Sequence, residues 1–141
     1  YGLYLKMLED TLATLSGDDK QEKKTVDIKL AISAYISDDY IHEDRVRLEL
    51  YRRLSKASEI QEVYVIEEEM EDRFGKPDIF TKQFIELIII KILALNLGIQ
   101  NISSYEMAIT FTKANDTKET IKSPSKDDDD IIATSLRYLR K

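Results

Sequence analysis

The stretch 58-SEIQEVYVIEEEMEDRFGKPD-78 decides how the chain is read. It carries a helix start, a helix stop and the start of the next helix within one run. Ser58 is a good N-cap, and Gln61 holds the capping-box position three residues later. Gly75 suits the left-handed residue after a helix, and Pro77 prevents continuation. Asp78 can then cap a second, strongly apolar helix that ends at Gly98. With about 100° between successive residues, Ile60, Val63, Tyr64, Ile66, Met70 and Phe74 share one arc, the expected core face.

The same stretch concentrates the charge. Residues 59–73 hold seven acids and one base, a net −6, which equals the formal net charge of the whole chain. Helical geometry divides these acids. Glu62, Glu69 and Asp72 face away from the core around Val65. An apolar side chain ringed by carboxylates reads as a protein-docking patch rather than a plain solvated face. Glu67 and Glu71 fall within or beside the apolar arc. Arg47 does the same on the preceding helix, 42–57, whose stripe is Val46, Leu50, Leu54 and Ala57 with Tyr51 alongside. A lone charge in such a place is costly and a paired one is tolerated, so Arg47 is expected to pair with Glu67 or Glu71 between the helices. Phe74 and Gly75 close the helix. A metal centre is disfavoured because Glu67, Glu68 and Glu69 point about 100° apart and cannot converge on one ion. Glu68 with Asp72 offers a weak site at most.

Outward from this stretch, Tyr1, Leu5, Leu8, Leu12 and Leu15 repeat at helical spacing over 1–16, and 17–25 is a polar linker. Val26, Ile28, Leu30 and Ile32 alternate with polar residues, as an extended strand requires. After Gly98, "IQNI", "EMAITFT" and "ETIKS" read as short strands, the last two joined by a turn at Asn115–Lys118. "DDDD" (127–130) is a solvated start for a final helix over 131–141, its acids and trailing Arg140 and Lys141 matching the macrodipole. The fold class is α+β: a layer of three to four helices with a small antiparallel sheet, plus the N-terminal helix.

Several functions are disfavoured by composition. No cysteine is present, and four scattered glycines cannot build a phosphate-binding loop. His42 alone makes no histidine metal site and, without a cysteine, no Cys–His dyad, and no G-x-S-x-G stretch occurs. The acidic balance disfavours direct nucleic-acid binding. The most apolar run, Phe84–Leu97, is 14 residues long and carries Glu86 and Lys91, so it reads as a buried helix rather than a membrane span. No catalytic, cofactor-binding or metal site is expected, and the chain reads as a non-enzyme.

"AYISDDYI" (34–41), "RLELYRRLS" (47–55), "EDRFG" (71–75) and "LGI" (97–99) occur in the order and at the spacing of one family. Together they resemble the C-terminal domain of bacterial transcription-repair coupling factors, from Tyr1 to about Phe111. The chain departs from that pattern at Ser37, where the family has a proline, and at Pro77, which comes one residue early. The resemblance implies that 1–16 is a helix from the end of a translocase motor and 26–141 a regulatory domain. The chain begins with Tyr1 and is expected to be a fragment, its first helix left mobile or paired with another copy. The implied parent is a cytoplasmic, ATP- and magnesium-dependent DNA translocase that removes stalled RNA polymerase at lesions and recruits nucleotide excision repair. The domain itself would hold no cofactor. It would clamp onto a UvrB-like N-terminal module and mask the surface that binds UvrA, with Glu69 and Asp72 meeting basic side chains. Arg47, Leu48, Tyr51 and Arg53 match positions given structural roles. The rival reading is a self-associating scaffold or interaction domain of another assembly.

Overall fold

The computed structural model describes residues 26–140. The helix expected over 1–16 and the linker over 17–25 lie outside the described residues. The described chain runs β1 (Asp27–Lys29), α1 (Asp44–Lys56), α2 (Ile60–Phe74), α3 (Ile79–Asn96), β2 (Ile99–Tyr105), β3 (Ala108–Lys113), β4 (Lys118–Lys122) and α4 (Asp128–Leu139). The class is α+β, as expected. Two compact units divide it. Residues 26–32 and 93–140 hold the sheet and α4, and residues 33–92 hold α1, α2 and most of α3.

The sheet has the order β1-β2-β3-β4. Its last three strands are antiparallel, joined by short turns. The expected antiparallel sheet is corrected at β1, which pairs parallel with β2, Ile28 opposite Ile102. A parallel pair needs a long crossover, and here the whole helical unit is the connection between the two strands. Ile99 and Ile102 are both buried although three residues apart, which strict alternation forbids. An irregularity in register between Ile99 and Asn101 absorbs the extra residue. On the strand side of this unit, Phe111 stacks on Tyr138 of α4 with centroids 4.1 Å apart, and Tyr138 donates its hydroxyl to Glu119 at 2.7 Å.

In the helical unit, Leu50 and Leu54 of α1, Val63 and Met70 of α2, and Phe84, Ile85 and Ile88 of α3 are fully buried. Ile88, Ile89 and Ile90 in sequence are all buried, so α3 is covered on most sides. Tyr51 is buried, packs edge-on against Phe84 and accepts the Ile36 N–H at 2.6 Å. Ser37 donates its N–H to the buried hydroxyl of Thr81 at 3.1 Å. A proline there has no N–H to give, so Ser37 and Thr81 form a bonded pair that a proline would break.

The helix ends follow the punctuation with two shifts. The N-cap of α2 is Glu59 and makes no side-chain cap, while Ser58 bonds Glu62 at 3.2 Å, so the expected capping box does not form. The final helix starts at Asp128, three residues earlier than its periodicity suggests, because the aspartates join its first turn. Gly75 terminates α2 at φ 85°, its N–H bonded to the Glu71 carbonyl at 2.9 Å. Asp78 accepts the Thr81 N–H at 2.9 Å and caps α3 as expected.

Candidate docking face on α2

The acids of α2 are divided by what they touch. Glu67 has a largely buried side chain and pairs with Lys82 of α3 at 2.6 Å. Glu69 takes both guanidinium nitrogens of Arg53 on α1, at 2.6 and 3.0 Å, with Arg73 a further partner at 3.4 Å. Two ion pairs thus tie α2 to the helices on either side. The Arg53 hydrogen bond holds the Glu69 carboxyl below its usual range, with burial opposing and Arg73 adding to the effect. The same bond raises Arg53, and the bond that Lys82 donates to Glu67 raises Lys82.

Arg47 does not meet Glu67 or Glu71. Its guanidinium is mostly buried, but it donates to the Ile41 carbonyl at 2.5 Å and to Asp44 one turn earlier. This mostly buried arginine is paired, as expected, but by a carbonyl and a near neighbour on its own helix. Glu71 is exposed rather than leaning on the core. Tyr64, assigned to the core arc, is 41% exposed, whereas Val63, Ile66 and Met70 are buried. Phe74 is half-buried and packs edge-on against Tyr40 with centroids 6.0 Å apart.

Tyr40 was not singled out by the sequence. Its hydroxyl donates to the Gly75 carbonyl at 2.6 Å and lies 3.2 Å from the Met70 carbonyl. It therefore holds the end of α2. Burial first, then the nearby carboxylates of Glu71, Asp78 and Glu67, push its pKa up to about 12. The only hint was its place in "SDDYI", where an aromatic follows a turn.

Outward, Val65 is 54% exposed. Glu62, Glu68 and Glu69 surround it at one-turn spacing and Asp72 lies two turns on. Glu68 and Asp72 have no ion pair among the described residues, and Glu69 keeps over a third of its side chain open to solvent. This face joins an apolar centre to carboxylates, two of them uncommitted, and can accept basic side chains around a small hydrophobic contact.

Other groupings offer less. Carboxylate oxygens of Asp127, Asp129 and Asp130 come within 4.8 Å of one another, at an exposed helix start. A cavity of about 200 Å³ lined by Leu97, Ile99, Lys113, Glu119, Tyr138 and Leu139 has Tyr138 and Glu119 bonded to each other. His42 is exposed. Among the described residues, no helix is long and apolar enough to cross a membrane.

A family model, the TRCF domain, matches residues 30–123. The chain belongs to the TRCF domain family. The match passes through β4, beyond Phe111, where the sequence motifs fade. Transcription-repair-coupling factors of Helicobacter pylori strain J99 and Rickettsia prowazekii are similar to the chain. They are 48% identical over 99% of it and 32% identical over 84% of it. The chain spans 14% and 11% of those relatives. A crystal structure of the C-terminal domain of a transcription-repair coupling factor superposes with a TM-score of 0.59 at 22% identity, covering 64% of this chain and 58% of that one. That likeness concerns the fold.

Proposed function

We propose that this TRCF domain is a non-catalytic, autoinhibitory docking module of a transcription-repair coupling factor. Its α2 face rests on a basic surface of the UvrB-like N-terminal module of the same protein and masks the surface that binds UvrA. ATP, magnesium and DNA are handled by the motor, and RNA polymerase and UvrA are reached through the parent, in the cytoplasm. The observation that carries this reading is the α2 face itself: exposed Val65 inside a ring of carboxylates, on a helix fixed to both neighbours by ion pairs. A rigid face needs little ordering on contact, so weak charge pairs can still select a partner. Such pairs favour a contact that opens again, as a clamp must.

Glu62→Lys with Asp72→Lys tests the reading without breaking the Arg53–Glu69 pair. Titration calorimetry of the chain against the UvrB-like module is expected to show salt-sensitive binding. The double variant should weaken it at least about 10-fold, since like charges then face each other, with an unchanged circular dichroism melt. Equal binding by the variant and the unaltered chain refutes the face.

A further inference from the structure

We propose that the chain has a second, basic docking face on α1, and that it takes the acidic α2 face of another copy. The two helices carry opposite charge. α1 has five bases against two acids, and α2 has six acids against one base. Their exposed faces also share a pattern. Leu48 of α1 is 47% exposed, with Arg45 three residues before it and Arg52 four after. Val65 of α2 is 54% exposed, with Glu62 three before it and Glu69 four after. Base–apolar–base therefore faces acid–apolar–acid at the same helical spacing, and the two can oppose each other one to one. Lys56 extends the basic row and Glu49 interrupts it. Arg45, Arg52 and Lys56 are exposed and have no ion pair among the described residues.

This complementarity identifies the occupant as a second copy. One copy's α1 on another's α2 closes as a twofold pair when the reciprocal α2–α1 contact forms as well, and leaves a free face at each end when it does not. Two opposed helix faces bury less than a standard interface, so the association is weak and salt-sensitive. The inference shares the α2 face with the proposed docking but does not rest on that reading. The UvrB-like module and a second copy would compete for one face.

Sedimentation of the 141-residue chain over rising concentration tests it. Its weight-average mass is expected to climb from the monomer's 16.4 kDa to that of a dimer or beyond, and to return to the monomer value in about 0.5 M salt. Arg45→Glu with Arg52→Glu should remain monomeric, as should Glu62→Lys with Asp72→Lys. Mixing the two variants should restore association, because the unaltered α1 of one then meets the unaltered α2 of the other. A chain that stays monomeric overturns the inference. So does a variant that associates like the parent, or a mixture that fails to associate. The α1 variant should still bind the UvrB-like module, so its result is independent of the docking reading.

Discussion

Glu69 performs a task at the residue scale that its place in an acidic run conceals. It closes a two-pronged bond with Arg53 across two helices. Both side chains are over a third exposed, so solvent screens the pair. A double-mutant cycle with Arg53→Ala and Glu69→Ala should give a coupling of about 0.5–1 kcal/mol in urea unfolding. The pH dependence follows from the lowered Glu69 carboxyl. The folded value lies below the unfolded one, so this contribution is full above about pH 4.3 and is lost as pH falls through the folded value. Arg53→Ala should flatten that acid limb. Tyr40 shows the opposite sign. Its folded pKa, about 12, exceeds the unfolded value, so its contribution is full below about pH 10 and fades as pH rises towards 12. Tyr40→Phe should cost about 1 kcal/mol, the hydroxyl bond to Gly75, and remove one of the last tyrosines from an alkaline absorbance titration.

At the scale of the element, α2 ends where a side chain is a liability. Gly75 has φ 85° and ψ −173°, a region open in practice only to glycine. A Cβ there would meet nothing within 4 Å, so Gly75→Ala acts through backbone strain alone. It should destabilise the domain by about 1–3 kcal/mol in urea unfolding, and crowding plays no part. This stop was legible in the sequence, as were Asp78's cap and the all-round burial of α3, because each depends on local chemistry and a period of 3.6. The pairing of Arg47 was not. Periodicity shows that a charge falls on an apolar arc, but the partner depends on which acceptor lies within reach in three dimensions. The Ile41 carbonyl and Asp44 are nearer than another helix. Glu67's inward lean was legible, and its partner Lys82 was hidden for the same reason. The parallel pairing of β1 likewise depends on a partner some 70 residues away, beyond the span of any local pattern.

For the whole molecule, charge is laid out by helix rather than spread as a solubility coat. The acids of α2 fall into two groups, one tying α2 to α1 and α3 and one left outward with Val65. The sequence motifs pointed to the TRCF domain, and the family match over 30–123 bears this out. The outward face was legible because helical geometry places Val65, Glu62 and Asp72 without help from tertiary structure. The partner proposed for it rests on the family resemblance alone. The docking proposed above requires that this face, and no other, receive the UvrB-like module. Amide chemical shifts of the isotopically labelled chain, recorded as that module is added, test it most directly. The largest changes are expected at Glu62, Val65, Glu68, Glu69 and Asp72, with the β2–β3 hairpin tip at Tyr105 and Met107 unmoved. Changes centred on that tip or on α4, with α2 silent, would contradict it.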